Sequence, residues 1–172
     1  ENHNPETHLI PNILKVAFSC LGNRYGWGGM LGAMDCTLYT RGIYECFGLE
    51  IPRNTTWQQK VPGKLTDISQ MTDEEKEKYI ERLPAGSILF FSGHAMVYVG
   101  SENATNYVIS ATGSLSDSTG ELNVKKMYSI ILNPLTTRRA NGKTWLTNLT
   151  AVLSFVPVDI KPQTEDFDFT YL

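Results

Sequence analysis

Cys36 directly follows Asp35, a residue type that suits a helix N-cap, so the cysteine falls in the first turn of a helix. There the helix dipole and the free backbone N–H groups favour the thiolate, the nucleophilic form of cysteine. The glycine-dense run Tyr25-Gly26-Trp27-Gly28-Gly29-Met30-Leu31-Gly32 precedes it and would let the backbone approach a substrate closely. The charge of Asp35 opposes thiolate formation if it points at the sulfur. Position alone fits equally a buried cysteine that packs as a small apolar residue. His94 is the one histidine inside a predicted strand, since His3 and His8 lie near the start of the chain. A thiol nucleophile needs a base, and in such pairs the fold brings the two together. A histidine in this place also fits a structural role. Cys20 and Cys46 are expected on apolar helix faces, and no Cys or His pair has zinc-type spacing, so neither metal nor cofactor is expected.

The elements that must position these residues can be read from the periodicity. Ile10, Ile13, Leu14, Ala17, Phe18 and Leu21 recur at helical spacing and predict an amphipathic helix that ends at Gly22. Asp35 starts a second helix with Leu38, Ile43, Cys46 and Phe47 on its apolar face and Gly48 as its stop. A short third helix is expected near Asn54, carrying Trp57 and Gln58. Thr72 and Glu75 form a capping-box pattern for a charged helix that ends before Pro84. Strands are then predicted at Ser87 to Phe91, His94 to Val99, Asn106 to Ala111, Lys126 to Leu132 and Trp145 to Val156. The polar segment from Gly113 to Gly120 reads as a loop, residues 1–6 as a frayed start and residues 161–172 as an acidic, aromatic tail. Helices first and strands afterwards argue an α+β domain with an antiparallel sheet.

A length of 172 residues favours one domain spanning the whole chain, with a core that forms without disulfide or metal staples. The hydrophobic fraction of 41% and charged fraction of 19% exclude intrinsic disorder as the main state. Fifteen Lys and Arg against 18 Asp and Glu give a net charge of −3, with no cationic cluster. Nucleic-acid binding is therefore not expected. No stretch of apolar residues is long enough to span a membrane.

Several blocks resemble the NlpC-type cell-wall endopeptidases, a papain-like family. Tyr25-Gly26-Trp27-Gly28-Gly29 resembles that family's Tyr-x-Trp-Gly-Gly segment, and Asp35-Cys36 its Asp-Cys-Ser-Gly nucleophile motif. Ile51-Pro52-Arg53 with Gln58 is similar to its Leu-Pro-Arg…Gln stretch. Leu83-Pro84-Ala85-Gly86-Ser87-Ile88-Leu89-Phe90-Phe91 and His94-Ala95-Met96-Val97-Tyr98-Val99-Gly100 resemble two of its strands. The blocks come in family order and cover about Tyr25 to Gly113.

The resemblance implies a papain-like fold, Cys36 as nucleophile, His94 as base, and peptidoglycan stem peptides as substrate, cut between D-glutamate and a diamino acid. It implies substrate-binding roles for Asp35, Tyr25 and Trp27, with Asp35 holding the free amine of a stem peptide. Arg53 matches a family arginine, and a structural salt bridge fits it equally. The resemblance further implies an exported protein of the bacterial envelope or cell wall, expected as a monomer, with an SH3-like targeting domain upstream. Two positions depart from the pattern. Thr37-Leu38 stands where the family has Ser-Gly, and Ser110 stands where it has an orienting histidine. A serine hydroxyl can accept a hydrogen bond from imidazole, but it is neutral and short. Ser110 is either that third residue or an ordinary strand residue. Two rivals keep the fold: a non-catalytic wall-peptide binding module, and a thiol acyltransferase.

Overall fold

The computed structural model of the chain describes residues 6–116 and 124–155. Helix α1 (Glu6–Ser19) comes first, then a 3₁₀ segment (Trp27–Gly32) and helix α2 (Cys36–Glu45). Helix α3 (Thr55–Gln58), strand β1 (Lys64–Asp67) and helix α4 (Asp73–Ile80) follow. Strands β2 (Ile88–Phe91), β3 (His94–Glu102), β4 (Thr105–Ser116) and β5 (Val124–Pro134) come next, then helix α5 (Trp145–Asn148) and strand β6 (Ala151–Ser154). The strands form one antiparallel sheet in the order β1-β6-β2-β3-β4-β5.

Alternation along the strands divides the buried side chains into two layers. Ile88, Phe90, Ala95, Val97, Ile109 and Ala111 pack with Ile13 and Ala17 of α1 and Tyr39, Ile43 and Tyr44 of α2. Leu89, Phe91, Met96, Tyr98 and Val108 pack on the opposite side with Ile80 of α4 and Trp145 and Leu146 of α5. Helices therefore cover both faces, and β2 with the buried stretch of β3, Ala95 to Tyr98, is apolar.

The expected helix caps are present. Asp35 accepts from the Leu38 N–H at 2.9 Å, Asn54 accepts from the Trp57 N–H at 2.9 Å, and Thr72 and Glu75 form the full capping box.

Four expectations change. The buried face of α2 is carried by Tyr39, Ile43 and Tyr44, and Cys46 is exposed. Both tyrosines can be buried because each hydroxyl donates to a backbone carbonyl, Tyr39 to Ala17 at 2.8 Å and Tyr44 to Gly86. Trp145 to Asn148 is a helix turn and not a strand, because the Thr144 hydroxyl caps it by accepting from the Thr147 N–H at 3.0 Å. Gly113 to Ser116 belong to β4, since Ser114 and Ser116 pair with Lys126 and Val124 of β5. Strand β1 was not anticipated: only Leu65 marks it, and pairing with β6 makes it an edge strand. Residues 1–5, 117–123 and 156–172, with the expected frayed start and acidic tail, lie largely or wholly outside the described residues.

Candidate functional site

The site lies where α2 begins against the sheet. Ahead of α2, the chain folds back on itself through the glycine-dense segment. A β-carbon on Gly26 would stand 2.6 Å from that of Ala33, so only glycine permits this close return. Gly28, at φ 66°, turns its N–H onto Asp35 Oδ2 at 3.0 Å.

Asp35 is 8% exposed and accepts five hydrogen bonds. The donors are the Gly28 and Leu38 N–H groups, the Thr37 hydroxyl at 3.1 Å, and both Arg53 terminal nitrogens at 2.9 and 2.5 Å. Burial raises the carboxyl pKa, but the hydrogen bonds from Arg53 and the Leu38 N–H, with the Arg53 charge and the Thr37 hydroxyl, lower it overall. A carboxylate has about four lone-pair sites. Here those sites are engaged in capping α2 and in anchoring the loops that carry Gly28 and Arg53. The Arg53 salt bridge is present as such.

Asp35→Asn is expected to cost about 1–3 kcal/mol of stability, because it removes charge-assisted bonds from a buried site while Arg53 remains partly solvated. The pKa is lowered in the fold, so this contribution is complete above the ordinary carboxylate pKa and fades as pH falls through the lowered value. Urea unfolding of parent and variant at neutral pH and near pH 3 checks it: the gap should be wide at neutral pH and narrow in acid. If the substitution instead changes selectivity between free and blocked peptide N-termini with no stability loss, the anchoring role is wrong.

Cys36 is 9% exposed. Burial pushes its thiol pKa up, and the Asp35 charge adds to this, while the backbone N–H groups of Ala95, Thr37 and Cys36 itself pull it down. The net direction is upward, so desolvation outweighs the helix-start effect expected from sequence. The thiol therefore rests in its neutral form. Ala95, one of these nearby N–H groups, immediately follows His94, and α2 packs on both β3 and β4.

His94 opens β3 directly after a tight turn in which Gly93 takes φ 78° and Phe91 pairs with His94. Its ring stacks on Phe91 at 5.0 Å and meets the edge of Trp145 at 5.3 Å. His94 Nε2 lies 3.1 Å from Ser110 Oγ. Both residues are in phase with the face of the sheet that carries Met96 and Val108. Ser110 is fully buried, and this hydrogen bond gives it a specific partner. No hydrogen bond joins the Cys36 sulfur to His94 among the described residues. Burial, with the Arg139 charge, pushes the His94 pKa down to about 3, so the imidazole is neutral at ordinary pH.

Tyr25 is half-buried. Burial and the neighbouring Cys36, Asp35 and Tyr128 raise its pKa, so its hydroxyl keeps its proton as a hydrogen-bond donor close to the cysteine. Trp27 is 77% exposed beside Met30 and Leu31 in the 3₁₀ segment and is available to ligand from solvent. Sequence reasoning missed Phe91, Trp145 and Arg139 as neighbours of His94. Phe91 and Trp145 read as core apolar residues, and nothing in the local pattern around Arg139 ties it to a histidine 45 positions away.

A model of the NlpC/P60 family matches residues 22–153, more than half of the chain. No curated protein matches it in sequence. An NlpC/P60 endopeptidase of Photobacterium damselae subsp. piscicida superposes at a TM-score of 0.67 with 15% identity, covering 83% of this chain and 38% of that one. The peptidoglycan hydrolase RipB of Mycobacterium tuberculosis gives 0.58 and 17%, covering 90% of this chain and 68% of RipB. RipD of the same organism, a non-catalytic NlpC/p60 domain protein adapted to peptidoglycan binding, gives 0.53 and 14%, covering 87% and 98%. The chain thus spans well under half of the first of these proteins and nearly all of the last. At such identities the likeness is one of fold, and the fold is papain-like.

Proposed function

The chain belongs to the NlpC/P60 family, and from that premise we propose that it is a cysteine endopeptidase that cuts peptidoglycan stem peptides outside the cytoplasm, at the D-glutamyl–diamino acid bond. Cys36 is the nucleophile and His94 the base. The observation that supports this reading most is the His94–Ser110 contact at 3.1 Å, on a histidine whose next residue lies close to the thiol of a helix-starting cysteine.

In this mechanism Ser110 accepts a hydrogen bond from His94 Nε2–H, which leaves Nδ1 as the basic nitrogen. Thiol and imidazole both start neutral, so the thiol proton moves to Nδ1 as sulfur attacks the scissile carbonyl. The backbone N–H of Cys36 and the Tyr25 hydroxyl donate to the developing oxyanion. The imidazolium then protonates the departing amine, and a thioester joins the acyl half to Cys36. Water, deprotonated by His94, cleaves that thioester and restores the thiol.

Mass spectrometry of purified muropeptides after incubation with the protein tests the proposal. New fragments ending in D-glutamate, with the matching diamino-acid fragments, are expected. Intact muropeptides that nevertheless bind the protein would favour the second reading, a binding module. The buried, raised thiol and the neutral serine in the third position are the features that favour that alternative.

Ser110→Ala is expected to lower kcat by roughly 10- to 100-fold with little change in KM, the loss of one hydrogen bond that strengthens as imidazolium forms. Steady-state kinetics on a stem peptide read this directly. An unchanged kcat would leave Ser110 an ordinary strand residue.

A further inference from the structure

A cleft of about 320 Å³ is lined by His94 but not by Cys36. Phe91 and Trp145 form its apolar walls, and Tyr25, Ser116 and Arg139 line it too. The Arg139 guanidinium lies 4.3 Å over the Phe91 ring. Among the described residues it forms no ion pair and no side-chain hydrogen bond. Ser116 is 1% exposed, and its hydroxyl has no hydrogen-bond partner. A half-buried cation and a buried, unpaired hydroxyl in one cleft are both costly to leave unsatisfied. A ligand that offers negative oxygen atoms satisfies both. Guanidinium matches a carboxylate by a two-pronged hydrogen bond, and a serine hydroxyl adds a third donor.

We infer that Arg139 and Ser116 form a carboxylate-binding subsite that recognises an acid group on the residue just after the scissile bond. This rests on the proposed peptidase reading. In that reading His94 hands its proton to the departing amine, so a cleft shared with His94 and not with Cys36 receives the departing half. The cationic cleft favours a diamino acid that also presents a free acid there over one that presents only its second amine.

Two synthetic stem peptides test this, identical except that the residue after the scissile bond carries a free carboxylate or its carboxamide. The parent should favour the carboxylate in kcat/KM by roughly 10- to 100-fold, the range for a charge-assisted pair. Arg139→Gln should erase the preference by slowing the carboxylate peptide alone, Arg139→Lys should restore part of it, and Ser116→Ala should reduce it. Equal losses on both peptides would mean that Arg139 merely supports the Phe91 and His94 stack, and would overturn the inference. Absence of a preference in the parent would overturn it as well, while leaving the peptidase reading in place. If the parent cleaves neither peptide, the peptidase reading fails by itself, and binding to the Cys36→Ala protein decides the subsite. Tighter binding of the carboxylate form that Arg139→Gln abolishes sustains it; equal binding, or none, overturns it.

Discussion

Cys36→Ala should reduce stem-peptide hydrolysis by at least about 10⁴-fold, because no other group at this site can form the acyl intermediate. The fold should survive. Alanine removes one buried atom, and the Asp35 cap on α2, with its Arg53 and Gly28 contacts, does not involve the sulfur. The cavity left is small, with a stability cost of about 1–2 kcal/mol. Alkylation should report the state of the thiol. Burial and the Asp35 charge hold the Cys36 pKa above its ordinary value, whereas Cys46 is exposed. Iodoacetamide at neutral pH should therefore modify Cys46 first, contrary to what the position of Cys36 at a helix start suggests. In a Cys46→Ser background the Cys36 rate should climb steadily with pH as the thiolate forms. Full turnover in Cys36→Ala would end the peptidase proposal. Fast Cys36 labelling at pH 7 would show instead that a thiolate is already formed at rest.

Much of the scaffold was legible because it rests on local rules. Alternation in Ile88–Phe91 and His94–Val99 sorts side chains between two cores regardless of partners, and the Asp35, Asn54 and Thr72 caps act within three residues. Alternation puts Ser110 in phase with Val108, but its part as partner of His94 comes only from the family resemblance, beside the reading of an ordinary strand residue. The failures all depend on distant residues. Tyr39 and Tyr44 displace Cys46 from the buried face of α2 because carbonyls of α1 and of the β2 approach receive their hydroxyls. Asp35 takes hydrogen bonds from Arg53 and Gly28, on two separate loops, which no pattern next to Asp35 could show. The helix-start rule for the thiolate was sound in sign, yet the desolvation that outweighs it exists only once α2 is packed on β3 and β4. Arg139 reaches the site from the β5–α5 connection and left no local trace.

His94→Gln should abolish turnover by about 10³-fold or more and, in the same protein, make stability less sensitive to acid. The first effect follows from removing the base and proton donor, which no neighbouring side chain replaces. The second follows from linkage. Packing between Phe91 and Trp145, with the Arg139 charge nearby, lowers the His94 pKa from 6.5 to about 3 in the folded protein. The unfolded chain therefore takes up a proton below about pH 6.5 that the folded chain refuses. The contribution of His94 to stability is complete above that pH and is lost progressively as pH falls toward 3. Glutamine has no such proton, so the variant's stability should stay flatter through this window, while both proteins share the further loss from Asp35 at lower pH. Urea unfolding of parent and variant at pH 7.5, 5.5 and 4.5 separates the two cases. Convergence of the curves in acid, or a crossing in favour of the variant, is the expected result. Parallel curves would mean that His94 titrates normally in the folded state, exposed to water and free to carry charge. The pair would then start as thiolate and imidazolium, and the neutral-thiol mechanism would have to be given up even if Cys36 and His94 both proved essential.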